Sequence, residues 1–243
     1  MSPSSNWNEV WAARRLDRSR ATLLEQLLAA DGFDTDFGNV TPEAWRAAVH
    51  RRAAELGIDA GSSVFEVGCG AGAFLCELRA LGCTVGGIDA SPALIEIARQ
   101  ALPGGQFDVC DAALLPPTPK AEFVVSCGVF LYFGSLAYAR RVIDAMAQKA
   151  TRAVAILDLP DLAQRDQAVT ERQAVLGGEA AYSERYAGLE HLYFDRAWMR
   201  DALEQAGLTQ VRIADQDIAG YSTGMHRFNA LAFVDRPHPA ATG

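Results

Sequence analysis

The stretch VFEVGCGAGAF, residues 64–74, ends an apolar run on a carboxylate, Glu66, and then sets glycines at 68, 70 and 72. Glycines let the backbone approach a ligand closely, and a helix that starts just after them favours negative charge at its N-terminus. A second carboxylate, Asp89, lies 21 positions beyond Gly68, at the end of the next β-rich run. That separation suits a carboxylate hydrogen-bonded to the two hydroxyls of a ribose. The chemistry on offer is the holding of a ribose-bearing cofactor. A glycine pair after a strand can do no more than make a tight turn, but a strand before, a helix after and Asp89 at this distance argue for a ligand.

The elements that position these residues follow from apolar periodicity. SSVFEV reads as a short strand, and FLCELRALG as a helix with Phe74, Leu75, Leu78 and Leu81 on one face and Gly82 as its stop. CTVGGID is a second strand. SPALIEIARQALPGG is a helix with Ser91 as N-cap and Pro92 at its first position. QFDVCD, AEFVVSCGVF and AVAILDL read as strands, with SLAYARRVIDAMAQKA as the helix before the last of them. Near-continuous apolar strands alternating with helices specify a parallel sheet covered on both faces. Residues 160–194 are polar and break the alternation. DRAWMRDALEQAG resumes it as a helix capped by Asp195, and LTQVRIAD and FNALAFVD follow with no helical pattern between them. Two strands joined without a helix pair antiparallel. Ahead of the core, residues 5–30 and TPEAWRAAVHRRAAELGI read as helices that cover one end of the sheet, the latter capped by Thr41 with Pro42 at its first position.

Two cofactors carry a ribose behind such a turn, a dinucleotide and S-adenosylmethionine, and GCGAGA satisfies even the permissive dinucleotide form GxGxxA. Three features separate them. Glu66 is a poor neighbour for a pyrophosphate and a good partner for an ammonium group. Asp111, in CDAALLP after the third strand, can accept a hydrogen bond from an adenine amino group. The antiparallel pair at the end of the chain is the third. EVGCGAG, GIDASPALIEIAR, CDAALLP and VVSCGVFLYF, in this order, resemble the class I S-adenosylmethionine-dependent methyltransferases. The resemblance runs from about residue 41 to 159 and returns in the last two strands. It implies an α/β, Rossmann-like fold: a seven-stranded, mostly parallel sheet whose last strand is antiparallel, with helices on both faces. It also implies S-adenosyl-L-methionine as cofactor and S-adenosyl-L-homocysteine as product. By position, Gly68, Cys69 and Gly70 would approach the methionine part and Glu66 its amino group. Asp89 would take the ribose, with Ala90 beside the adenine. Asp111 and Ala112 would read the adenine edge, and Cys127 would border the sulfonium. Cys110 stands where many relatives have glycine.

Ligands of open α/β sheets sit beyond the carboxyl ends of the strands. The acceptor is therefore expected among residues 129–133, the 160–194 segment and the YSTGMH loop. Tyr182, Tyr186, Tyr193 and Phe194 make that segment aromatic, which suits a lid over an aromatic or apolar acceptor; a satellite cluster or a dimer contact is the alternative. Trp7 and Trp11 could close over the cofactor or simply pack. Holding acceptor and methyl group in line supplies much of the rate, and a phenol or alcohol acceptor would add a general base. His191 is the expected base, with Tyr132 and Tyr193 as orienting hydroxyls and His226 near the acceptor. His50 is expected on the surface and His238 in the tail. The domain reading is one methyltransferase domain. It has a helical cover (1–40), a cofactor-binding core (41–159), an inserted acceptor lid (160–194), a C-terminal helix and hairpin (195–235) and a frayed tail (236–243).

Composition agrees with this frame and limits the rest. The chain has 243 residues, is half hydrophobic and carries a net charge of −8. No basic run supports nucleic-acid or anionic-membrane binding. The acidity could favour a cationic substrate or serve solubility. Five cysteines, none in a CxxC pair or at metal spacing from a histidine, read as small buried hydrophobes in a reducing, cytoplasmic setting, with no metal site. No signal sequence or membrane-spanning run is expected. The acceptor is expected to be a small molecule, in bacterial natural-product tailoring by resemblance, on a monomer or homodimer. Two rivals stand beside this reading: an NAD(P)-dependent oxidoreductase, and a non-catalytic or regulatory member of the same fold.

Overall fold

The computed structural model describes residues 5–35 and 37–235. The expected frayed tail, 236–243 with His238, lies outside the described residues. The strands are β1 (Ser63–Val67), β2 (Thr84–Asp89), β3 (Gln106–Val109), β4 (Ala121–Cys127), β5 (Ala150–Pro160), β6 (Leu208–Asp215) and β7 (Arg227–Val234). They form a seven-stranded sheet in the order β3-β2-β1-β4-β5-β7-β6. The first five strands pair parallel, and β7 runs antiparallel to both β5 and β6. This is the mostly parallel α/β sheet with an antiparallel last strand expected from the sequence.

The helices are α1 (Ser5–Ala12), α2 (Leu23–Ala30), α3 (Pro42–Leu56), α4 (Ala73–Ala80), α5 (Pro92–Ala101), α6 (Leu136–Lys149), α7 (Arg165–Leu176), α8 (Glu179–Arg185) and α9 (Arg196–Gln205). The side chains of Thr41, Ser91, Ser135 and Asp195 cap α3, α5, α6 and α9, each accepting an N–H three residues on. These polar groups satisfy helix N–H donors that have no intrahelical partner. Alternation along the strands divides the core. On one face Val64 and Val125 meet Trp45, Leu75, Leu78 and Ile95 from α3, α4 and α5. On the other, Val67, Val124 and Val154 meet Val142, Ile143 and Met146 of α6 and Leu203 of α9. Successive strand residues point to opposite faces, so neighbours such as Val124 and Val125 serve different layers.

β1 has β2 on one side and β4 on the other, so the connections depart in opposite directions from this pair of strands. A crevice opens where the strand order reverses, at the carboxyl ends. Gly68 follows β1 there and Gly128 follows β4. The 160–194 segment, polar in sequence, contains two helices, α7 and α8. Its ends are stitched together at the sheet edge: Phe194 N–H donates to Pro160 O and Leu162 N–H donates to Phe194 O, both at 2.9 Å. Phe194 itself is fully buried in the core against Phe130 and Trp198. It anchors the insertion and does not contribute to the insertion's aromatic surface.

Candidate active site

The turn after β1 is shaped by its neighbours. Gly70 adopts φ +54°, and a Cβ there would sit 2.2 Å from Asp31 Oδ1. Gly68, at φ +75°, leaves no room for a Cβ beside Val129. The glycines thus allow other parts of the chain, as well as a ligand, to press against the turn. Asp31, immediately after α2, does so. Its Oδ1 accepts from Ala71 N–H at 2.6 Å and its Oδ2 from Ala73 N–H at 3.1 Å. Asp89, at the end of β2, accepts from Gly70 N–H at 3.0 Å and Ser91 N–H at 2.8 Å.

Glu66 completes a group of three carboxylates around the turn. It is 2% exposed, and its Oε2 has no hydrogen-bond partner. Burial, then the charges of Asp31 and Asp89, push its pKa well above the usual carboxylate range. Asp31 is pushed up to about 7, mainly because its carboxyl is desolvated in the cavity wall; the two N–H bonds oppose this. Asp89 is raised as well, by burial. Among the described residues no side-chain cation makes an ion pair with any of the three. The turn therefore suits a cationic ligand group. It does not suit a pyrophosphate, because the N–H groups at the start of α4 that would bind one already hold the Asp31 carboxylate. This settles in physical terms what the glycine spacing left open.

A first cavity opens on this turn. It is lined by all nine residues expected to hold the cofactor: Glu66, Gly68, Cys69, Gly70, Asp89, Ala90, Asp111, Ala112 and Cys127. At its far end Asp111 Oδ1 accepts from Ala113 N–H at 2.8 Å and from the Tyr138 hydroxyl at 2.5 Å. This fixes the carboxylate and leaves Oδ2 for a ligand. Trp7, Trp11 and Phe33 also line this cavity, so the N-terminal helices contribute walls as well as cover. The Cys69 and Cys127 thiols are pushed well up by burial and stay protonated.

A second cavity shares Trp7, Trp11, Asp31, Phe33, Gly128 and Tyr132 with the first. His191 and Tyr186 are on its wall. Trp7 stacks on His191 with ring centres 5.1 Å apart and packs on Tyr132 at 4.6 Å. It also donates from Nε1 to Glu190 O at 3.4 Å. This cluster closes α1 onto the insertion. Of the residues expected at the acceptor, Tyr132, Tyr186 and His191 come together here. Tyr182 and Tyr193 are not on the wall of this cavity: the Tyr182 ring packs at a tilt on Tyr186 with centres 4.9 Å apart, and the Tyr193 hydroxyl accepts from Arg172 at 3.4 Å. His226 is 3% exposed, and its Nε2 lies 2.7 Å from Glu171 Oε2, so it braces α7 from beneath. His50 is on the surface of α3, beside Glu77.

His191 and Tyr132 have definite proton states. Arg172 Nη1 lies 3.1 Å from His191 Nδ1. A guanidinium only donates, so Nδ1 accepts and the ring proton is on Nε2. Burial, then Arg172 and Arg227, hold the His191 pKa well below 6.5. Tyr132 is pushed up to about 12 by burial. Near neutral pH both rings therefore offer donors. Sequence reasoning passed over Asp31, Phe33, Tyr138 and the arginines of the second cavity. None of these lies in a local motif, and only packing brings them to the site.

Comparison with known proteins identifies the family and the fold. Residues 38–213 match the sequence profile of a family described as "Methyltransferase domain". A trans-aconitate 2-methyltransferase from Paracidovorax citrulli (strain AAC00-1) is 29% identical over 157 residues, which spans 59% of this chain and 59% of that relative. The magnesium protoporphyrin IX methyltransferase of Synechocystis PCC 6803, solved with bound SAM, aligns with a TM-score of 0.59 at 17% identity, covering 96% of this chain and 93% of that one. The N-methyltransferase NodS of Bradyrhizobium japonicum WM9, solved with bound SAH, aligns with a TM-score of 0.60 at 19% identity, covering 88% and 97%. At these identities the two structures share a fold with this chain.

Proposed function

Because the chain belongs to the methyltransferase-domain family, we propose that it moves a methyl group from S-adenosylmethionine to an oxygen or nitrogen atom of a small molecule seated in the second cavity. The observation that carries this reading is the group of three carboxylates at the turn, Glu66 buried and Asp31 and Asp89 half-buried, with no cation paired to them among the described residues. Glu66 in particular lines the first cavity, and its Oε2 is buried without a partner. Glu66 and Asp31 would hold the ammonium end, Asp89 the ribose hydroxyls, and Asp111 with the backbone of Ala112 the adenine edge. When bound, the cofactor supplies a methyl group already activated on a sulfonium.

The chain's own part is positioning. Gly128 and Tyr132 border both cavities and so mark where acceptor and methyl group would meet. Trp7, Trp11 and Phe33 exclude water from that junction, and a fixed in-line arrangement lowers the entropic cost of a bimolecular displacement. His191 and Tyr132 hold their protons near neutral pH and orient an acceptor by donating to it. This favours an acceptor whose attacking lone pair is available without prior loss of a proton to either ring. The segment 160–194 acts as a lid over this acceptor. The proposal extends to tailoring of a bacterial natural product, for which the support is the resemblance noted from the sequence.

The test is thermal stabilisation of the purified protein by S-adenosylhomocysteine, with NAD and NADP alongside. Ligand at 100 times its Kd adds roughly 2.7 kcal/mol. A shift with S-adenosylhomocysteine alone, lost in Asp89→Ala, is expected; a shift only with a dinucleotide would overturn the reading. Release of S-adenosylhomocysteine from S-adenosylmethionine with an added acceptor separates an enzyme from a cofactor-binding protein that does not turn over.

A further inference from the structure

The walls of the second cavity carry charge opposite in sign to the protein as a whole. Among the described residues four arginines line it, Arg14, Arg172, Arg185 and Arg227, against two carboxylates, Asp31 and Asp158. The carboxylates are already committed. Asp158 pairs with Arg227 at 2.8 Å and also accepts from the Tyr221 hydroxyl and from Gln216 Nε2, both at 3.0 Å. Asp31 faces the backbone N–H groups of the glycine turn.

Arg172 is left over. It projects from α7 and is only 5% exposed. Its Nη1 meets two neutral groups, His191 Nδ1 at 3.1 Å and the Tyr193 hydroxyl at 3.4 Å. Its Nε is buried with no hydrogen-bond partner, and among the described residues no carboxylate pairs with it. A buried guanidinium without an anion is costly to the fold. Its position is well defined nonetheless: His191 and Tyr193 fix Nη1, and the Phe37 ring lies 5.9 Å from the guanidinium carbon. A planar fork held in this way matches a carboxylate, which can take two parallel N–H bonds.

We infer that the acceptor carries a carboxylate and that Arg172, on the wall of the second cavity, is the residue that pairs with it. Arg14 and Arg185, on the same wall, add positive potential. Arg14 is engaged with Ala29 O and the Trp11 ring, and among the described residues no carboxylate lies at ion-pair distance from it. Around the anchor, Trp7, Tyr132 and Tyr186 supply flat surfaces for the rest of the molecule. The acidity of the chain therefore says nothing in favour of a cationic acceptor, because the local field at this cavity is set by the leftover arginine.

This inference rests on the methyltransferase reading, and the experiment separates the two. Protein saturated with S-adenosylhomocysteine is titrated with benzoate, phenylacetate, cinnamate and citrate, with the corresponding uncharged amides, and with inorganic phosphate. At least one acid is expected to bind tenfold or more tightly than its amide. In Arg172→Gln and Arg172→Met that preference falls at least tenfold, Arg172→Lys keeps part of it, and the affinity for S-adenosylhomocysteine stays within twofold. Equal binding of acids and amides, or no binding by any acid, overturns the inference, as does an acid preference undiminished in the uncharged variants. Binding of phosphate in place of every carboxylate overturns the carboxylate assignment. If the uncharged variants fail to fold, the acid–amide comparison on the wild-type protein decides. Failure of the wild-type protein to bind S-adenosylhomocysteine sinks the methyltransferase reading itself.

Discussion

Asp31 Oδ1 accepts the Ala71 N–H at 2.6 Å across forty residues of sequence, which ties the segment after α2 to the glycine turn. The carboxyl has a pKa of about 7, raised chiefly by burial. An unfolded chain loses this proton near pH 4, whereas the folded protein keeps it to about 7. Between those values the folded state holds the extra proton on Asp31, so the contribution of this group to the stability of the ligand-free protein falls as pH rises from about 4 to about 7. A cationic ligand group favours the ionised form and reverses the effect. S-adenosylhomocysteine should bind more tightly at pH 8 than at pH 6 and release a proton on binding at pH 6. Calorimetry in buffers of different ionisation enthalpy reads both; equal affinity and no proton release would remove Asp31 from the ligand.

Glu66 Oε2 is a buried acceptor with nothing to accept from. Glu66→Gln removes an ionisable group whose charged form burial and two neighbouring carboxylates oppose. The ligand-free variant should unfold at a denaturant concentration no lower than that of the wild type. Its affinity for S-adenosylhomocysteine should drop by about 1.5–3 kcal/mol, the size of a hydrogen bond to a charged group. A variant that loses stability and keeps affinity would mean that Glu66 serves the fold.

Gly70→Ala tests the close approach at the turn. The new Cβ would stand 2.2 Å from Asp31 Oδ1 at a backbone φ of +54°. Strain at such a site costs about 1–3 kcal/mol, and relief requires Asp31 to leave the Ala71 and Ala73 N–H groups. Chemical denaturation should show the loss, and cofactor affinity should fall with it. Full stability would show that the turn can open without penalty.

His191 remains neutral well below its usual titration range, with Nδ1 taken by Arg172. The acceptor kcat/KM should therefore show no limb near pH 6.5 that belongs to this ring. His191→Asn should raise the acceptor KM more than it lowers kcat. A limb near 6.5 that vanishes in His191→Asn would make His191 a titrating base after all.

The lining of the first cavity was legible in the linear sequence because its parts are local. Each of Glu66, Gly68, Asp89 and Asp111 sits at the end of a strand or in the turn after it. A parallel sheet brings successive strand ends to one edge whatever the side chains elsewhere. The cap residues Thr41, Ser91 and Asp195 were legible for the same reason, since a cap acts within three residues of itself. The lining of the second cavity was not. Tyr132, Tyr186 and His191 stood out as aromatic side chains near the expected edge, but Tyr182, Tyr193 and His226 looked equally eligible. The difference lay in which way the 160–194 helices turn.

Residue types and short spacings determined the fold, the cofactor turn and the direction of the last strand, because strand and helix periodicity and helix caps are satisfied within a few residues. Tertiary structure alone decided that Asp31 occupies the anion slot of α4, that Asp158 neutralises Arg227, and that among the described residues no carboxylate pairs with Arg172. Whether a buried charge is paired depends on groups tens of residues away. Desolvation and Coulomb energy act through space, and no local pattern records them.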